Sequence, residues 1–261
     1  MKRAFVKYEG LGNDFVIVDA DGPLDRSEVT RLCDRHFGVG GDGVLVVAPP
    51  SSLGAAATMI VQNADGSRPE MCGNGLRCVA RHVAALRGGA AMSLVIDTDA
   101  GPLGCEVSGD AVLVDMGVAV EGGTVQVEID GHALELARVW TGNPHAITFA
   151  PLGAGALARF GPRVSTHERF PGGTNFELAT TRTDGSIEVA VWERGVGPTL
   201  ACGTGACATA VHACRLGLAA YDRETVVHLP GGALAVTVAR TLRIEMRGPA
   251  RRVFSGEVDG P

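Results

Sequence analysis

A chain of 261 residues with 46% hydrophobic content can bury a substantial core, as one large domain or as two of common size. Its net charge of -6 argues against a nucleic-acid partner, which would call for a basic face, and makes a small molecule the expected partner. Seven cysteines, an odd number in a chain too long to need disulfide staples, are expected as reduced thiols.

From the amino terminus, Met1-Lys2-Arg3-Ala4-Phe5-Val6 is interrupted by Lys7 and Glu9 before it could form a signal-peptide core, so no export signal is expected. No stretch approaches the ~20 apolar residues of a membrane-spanning helix. A soluble, cytoplasmic protein with no membrane partner is the expectation. Residues 16–18, 44–47 and 59–61 read as short strands. The run Gly38-Val39-Gly40-Gly41-Asp42-Gly43 has the glycine spacing of a dinucleotide fingerprint, but residues 44–47 continue as strand where phosphate binding needs a helix. After Cys72 the spacing of Leu76, Val79, Val83 and Leu86 predicts a helix closed by Gly88-Gly89. Residues 112–114 return to strand, and a boundary falls near Met116-Gly117.

In the second half, Ile129 and residues 134–139, 146–149 and 187–192 read as strands. Ala206, Ala210, Ala213 and Leu216 predict a helix after Cys202, closed by Gly217. Residues 234–238 and 242–246 alternate as half-buried antiparallel strands do, without the βαβ rhythm of a Rossmann fold. The two halves repeat weakly. Gly12-Asn13 recurs as Gly142-Asn143 and Cys72-Gly73-Asn74-Gly75 as Cys202-Gly203-Thr204-Gly205, both at an offset of 130, and Asn63 stands to Cys72 as Glu193 stands to Cys202. The predicted fold is α/β, of the α+β type: two pseudo-symmetric lobes, each a mostly antiparallel curved sheet around one principal helix, with the active site in the cleft between them. The lobes are assigned to residues 1–116, carrying Cys72 and joined by a returning segment at 248–261, and to residues 117–247, carrying Cys202.

A cysteine just before a helix meets backbone N–H groups and the positive end of the helix dipole, which favour thiolate over thiol. The adjacent glycines let a ligand approach the same N–H groups, so each loop can hold both a base and a carboxylate. Two such loops in facing lobes suit stereoinversion: one thiolate removes the α-proton and the opposing thiol protonates the other face. His145 and Glu193 are candidates for orienting the carboxylate and moving protons to and from the thiols. No cofactor is called for. The lysines are Lys2 and Lys7, both at the extreme amino terminus, whereas a pyridoxal-phosphate enzyme needs a Schiff-base lysine in its site. No Cys-x-x-Cys or closely spaced His pair marks a metal site. Cys33, Cys78, Cys105, Cys207 and Cys214 read as small buried hydrophobes, and Tyr8, Trp140 and Trp192 as packing residues.

Six motifs in order resemble the diaminopimelate epimerase family over nearly the whole chain. They are Gly10-Leu11-Gly12-Asn13-Asp14-Phe15, Asn63-Ala64-Asp65-Gly66-Ser67, Glu70-Met71-Cys72-Gly73-Asn74-Gly75, Gly142-Asn143-Pro144-His145, Gly173-Thr174-Asn175, and Glu193-Arg194-Gly195 followed by Ala201-Cys202-Gly203-Thr204-Gly205. The resemblance implies interconversion of the L,L and meso forms of 2,6-diaminoheptanedioate, toward lysine and the bacterial cell wall. It implies that Cys72 and Cys202 are the acid/base pair, with Gly73, Asn74, Gly203 and Thr204 donating to the reacting carboxylate. By the same resemblance Asn13, Asn63, Asn143, Asn175, Glu193 and Arg194 hold the rest of the substrate, Arg194 as the cation for the second carboxylate. A homodimer is implied as well. Two departures stand out: Gly43 where some members carry glutamine, and Ala146 where a cysteine is common. The rival readings are a proline racemase or hydroxyproline epimerase, whose first loop resembles Cys-Gly-His-Gly where Asn74 stands here, and a noncatalytic amino-acid-binding protein.

Overall fold

Alternating apolar residues in the first ten positions build β1 (Lys2–Gly10), and the chain folds straight back into β2 (Asn13–Asp19). The turn between them is Leu11-Gly12, with both residues at positive φ, the two-residue geometry whose twist matches that of the flanking strands. The computed structural model describes residues 2–69 and 71–259. Glu70 of the first cysteine motif lies outside the described residues, as do Met1, Gly260 and Pro261.

The chain continues through α1 (Arg26–Cys33), β3 (Gly43–Ala48), β4 (Ala57–Asn63), α2 (Gly73–Leu86), β5 (Ala91–Thr98), β6 (Gly101–Ser108) and β7 (Ala111–Val118). There follow β8 (Val120–Ile129), β9 (His132–Trp140), β10 (Pro144–Thr148), α3 (Ala156–Ser165), β11 (Asn175–Thr181), β12 (Ile187–Glu193) and β13 (Gly197–Thr199). The last elements are α4 (Gly203–Arg215), β14 (Glu224–Leu229), β15 (Gly232–Val238), β16 (Arg243–Pro249) and β17 (Arg251–Asp259). Two compact units result: Met1–Asp115 with Arg247–Pro261, and Met116–Met246.

Each unit has the same internal pairing. In the first, β1 lies antiparallel to β17 and β2, β2 runs parallel to β3, β3 antiparallel to β4, β4 parallel to β5, and β5 antiparallel to β6. In the second, β9 lies antiparallel to β8 and β10, β10 runs parallel to β11, β11 antiparallel to β12, β12 parallel to β14, and β14 antiparallel to β15. The mixed but mostly antiparallel sheets are those expected of an α+β fold. The glycine-rich run 38–43 leads into strand β3, not into the helix that dinucleotide binding requires. At Gly43 a Cβ would stand 2.6 Å from the Gln62 carbonyl oxygen, so the backbone of β4 takes the space of any side chain there.

Helices α2 and α4 are the principal ones, and both are deeply buried. Leu76, Cys78, Val79, Ala80, Val83 and Ala84 of α2 are enclosed, as are Ala206, Cys207, Ala208, Ala210, Val211 and Ala213 of α4. The small residues of α4 let the helix sit close to its sheet. Leu86 and Leu216, read as part of the buried stripes, are instead exposed at the last turns, ahead of the left-handed glycines Gly88 and Gly217. Beside the one principal helix expected in each lobe stands a shorter second one, α1 and α3, that the sequence pattern did not announce. In α1 only Val29, Leu32 and Cys33 carry an apolar signal, and α3 contains Gly161 and Pro162, residues that argue against a helix. Gly161 is needed where it stands: a Cβ there would meet the Trp192 ring at 2.6 Å, so Trp192 packs against the helix backbone. Trp140, in contrast, is about half exposed. Leu242 is a turn residue at positive φ, and the last strand of the second unit begins at Arg243. No helix among the described residues is long and apolar enough to cross a membrane.

Candidate active site

Each cysteine caps its own helix. Cys72 has extended backbone ahead of α2 and its sulfur accepts the Gly75 N–H at 3.3 Å. Cys202 does the same ahead of α4, accepting from Gly205 at 3.4 Å. Serine, threonine, asparagine or aspartate ordinarily takes this place. Gly73 with Asn74, and Gly203 with Thr204, therefore form the first turns, where backbone N–H groups have no carbonyl partner inside the helix.

The glycine three residues after each cysteine is fixed by space. A Cβ at Gly75 would stand 2.9 Å from Leu45 Cδ2 and 3.2 Å from Cys72 Sγ; at Gly205 it would stand 2.8 Å from Glu177 Oε1 and 3.3 Å from Cys202 Sγ. Leu45 can swing aside, but Glu177 is held by a hydrogen bond. Gly205→Ala is accordingly expected to cost about 1–3 kcal/mol by overpacking and to lower turnover, with Gly75→Ala milder on both counts. Thermal unfolding and steady-state rates of the two variants check this ranking.

The two thiols differ in environment. Cys72 is partly exposed, whereas Cys202 is only 5% exposed. Burial pushes the Cys202 thiol well above its ordinary pKa, and the charges of Glu193 and Glu177 act in the same direction. The Thr204 hydroxyl, 3.5 Å from the sulfur, and the Gly205 N–H pull against them. The expected lowering of the pKa at a helix start is thus reversed at Cys202, because desolvation of the charged form outweighs two donors. Burial likewise pushes Cys33 up to about 11 and Cys78 and Cys105 up to about 12, as befits inert hydrophobes.

In the second unit His145 stands on β10, fully enclosed, with Nδ1 2.6 Å from Glu177 Oε1 on the neighbouring parallel strand β11. Sequence reasoning did not single out Glu177. The signal that could have found it is a carboxylate between Phe176 and Leu178, within the apolar middle of the strand. Its carboxyl is pushed above its ordinary value by burial, against the opposing pull of His145 and the Ala146 N–H. Glu193 ends β12, and its Oε1 accepts from the Thr199 hydroxyl at 2.6 Å. Asn175 opens β11 and its side-chain oxygen accepts the Arg194 N–H at 2.8 Å. The Arg194 guanidinium donates through Nη1 to the Gly172 carbonyl at 2.8 Å and crosses Gly173, where a Cβ would meet its Cδ at 2.8 Å. The Thr141 hydroxyl donates to the Thr204 carbonyl at 3.0 Å and ties the loop before β10 to the start of α4. Asn143 lies in that loop, partly buried, and its carbonyl accepts the Thr141 N–H.

In the first unit Asn74 Nδ2 donates to Asn13 Oδ1 at 3.2 Å, and Asn13 Nδ2 donates to Asp42 at 2.7 Å. These bonds link the start of α2 to the β1–β2 turn. Asn63 donates to the Ser67 hydroxyl at 3.0 Å and closes its own turn. Lys7 is buried and committed to Asp14, 2.5 Å away.

The family model described as diaminopimelate epimerase matches residues 5–122 and 138–253. The chloroplastic diaminopimelate epimerase of Oryza sativa subsp. japonica is 42% identical, over 97% of this chain and 79% of that protein. The diaminopimelate epimerase of Synechococcus elongatus is 41% identical, over 99% of both. Among solved structures, a predicted epimerase from Pseudomonas aeruginosa superposes with a TM-score of 0.79 at 19% identity, covering 99% of this chain and 100% of that one. A hydroxyproline epimerase from Agrobacterium vitis, with bound trans-4-hydroxy-L-proline, superposes at 0.76 with 13% identity, covering 98% and 91%. The structural matches are likenesses of fold; the family match and the identities over almost the full length establish that this chain belongs to the diaminopimelate epimerase family.

Proposed function

We propose that the protein interconverts L,L- and meso-diaminopimelate by proton transfer at one α-carbon, as a step toward lysine and cell-wall precursors. The observation that carries this reading is the matched pair of helix-capping cysteines, each sulfur accepting the N–H of the glycine three residues on. One thiolate removes the α-proton, and the other cysteine, as thiol, delivers a proton to the opposite face. The first-turn N–H groups at Gly73, Asn74, Gly203 and Thr204 stabilise the carboxylate as it takes on enolate character. The high pKa of Cys202 suits the proton-donating role when Cys72 begins as the base; reaction in the reverse sense exchanges the roles. His145 and Glu193 orient and move protons at the Cys202 end. Arg194 binds the distal carboxylate, with Asn13, Asn63, Asn143 and Asn175 around the remaining polar groups. No cofactor takes part in this scheme, and a cytoplasmic homodimer belongs to the same reading.

The test is turnover of L,L-diaminopimelate in heavy water. The meso product is expected to carry one solvent deuterium at the inverted α-carbon, without added cofactor. A protein that binds the amino acid but leaves its α-hydrogen in place would overturn the proposal, and activity on proline alone would overturn the choice of substrate.

A further inference from the structure

One buried ionisable group, Glu177, is left without a role when each family motif has been given one, and it is paired with His145. Glu177 and His145 are 0% and 1% exposed and share a 2.6 Å hydrogen bond between neighbouring strands. A buried carboxylate is costly unless several donors hold it, and here the donors are His145 and the Ala146 N–H. His145 Nε2 and Glu177 Oε2 are enclosed without a hydrogen-bond partner. The carboxylate and the Cys202 sulfur both crowd Gly205: a Cβ there would stand 2.8 Å from Glu177 Oε1 and 3.3 Å from Cys202 Sγ.

Resting on the two-thiol reading above, we propose that Glu177 is a positioning residue for Cys202: its carboxylate holds His145 with the proton on Nδ1 and Nε2 bare, and its negative charge opposes a second negative charge on the sulfur. The identity of the bare nitrogen of an imidazole is set by what the other nitrogen bonds to. When ionised, the carboxylate accepts only, so Nδ1 is the donor, and in the neutral imidazole that leaves Nε2 as the acceptor. Glu177 touches no reacting atom in this scheme. It acts through the imidazole tautomer and through its field at the sulfur, which it shares with Glu193 at the end of β12.

Three measurements test the assignment. Glu177→Gln keeps the size of the side chain and removes its charge, and kcat is expected to fall on the order of 100-fold with KM little changed. In a chain also carrying Cys72→Ser, the pH midpoint for iodoacetamide alkylation of Cys202, followed by mass spectrometry of its peptide, is expected to drop by about one unit when Glu177 becomes glutamine. An unmoved midpoint, or native kcat, would overturn the proposal. Nitrogen-15 spectra of the unsubstituted protein serve even where the variant does not fold. They should show His145 protonated on Nδ1 and bare on Nε2, and the reverse tautomer would overturn it. Alkylation reads Cys202 without turnover, so failure here is distinct from failure of the two-thiol reaction, which would appear as native turnover in Cys202→Ala.

Discussion

Replacement of either Cys72 or Cys202 by alanine is expected to abolish turnover in both directions, with kcat lowered at least about 1,000-fold, or roughly 4 kcal/mol of barrier. In the proposed two-thiol reaction the two groups act as a unit, so the double variant should be scarcely worse than either single one. Each sulfur also caps a helix, and loss of a cap costs about 0.5–2 kcal/mol of stability. Serine separates the two effects. Its hydroxyl still accepts the N–H of Gly75 or Gly205 but is far too weak an acid to exchange a proton near neutral pH. Cys72→Ser and Cys202→Ser should therefore unfold close to the native temperature and be as inactive as the alanine variants. Turnover in either serine variant near the native rate would contradict the chemistry.

The second large effect is expected at Arg194. Its guanidinium gives one donor to the Gly172 carbonyl and is otherwise open to solvent, so charged donors remain for a ligand carboxylate. Removing one partner of a charge pair that ligand binding desolvates costs about 2–5 kcal/mol. Arg194→Ala should lower kcat/KM for L,L-diaminopimelate by roughly 100-fold or more. Arg194→Lys should recover little, because a compact ammonium cannot reproduce the two-pronged guanidinium geometry. Steady-state kinetics on both isomers check the result. An unchanged kcat/KM would remove Arg194 from the substrate's second carboxylate and weaken the choice of a diacid.

The cysteine loops could be read directly from the chain because their chemistry is local. Cysteine, glycine and the start of an apolar helix follow one another within a few residues, and the pattern occurs twice. The strands around them were legible for the same reason, through short runs such as 44–47. Other features depend on partners distant in sequence. Helix α3 forms despite Gly161 and Pro162 because the Trp192 ring fills the space over its backbone, a tertiary contact that overrides propensity. The raised pKa of Cys202 follows from burial and from two carboxylates on other strands, none of which is visible at a helix start considered alone. Glu177 was passed over because a single acid in a strand reads as a solvated position until its neighbours enclose it. At Asn63 a turn role is visible as well, its side chain donating to the Ser67 hydroxyl, as is usual for asparagine beside a turn.

The pairing of β17 with β1 joins Arg251–Asp259 to Lys2–Gly10. During synthesis the first strand leaves the ribosome long before its companion exists. The unit Met116–Met246 is one uninterrupted stretch and can fold as soon as it emerges, in keeping with the tendency of domains to fold as units. The unit built from the segments on either side of it is consequently the later of the two to be finished, with the β1 edge open to stray association until Arg251–Asp259 emerges.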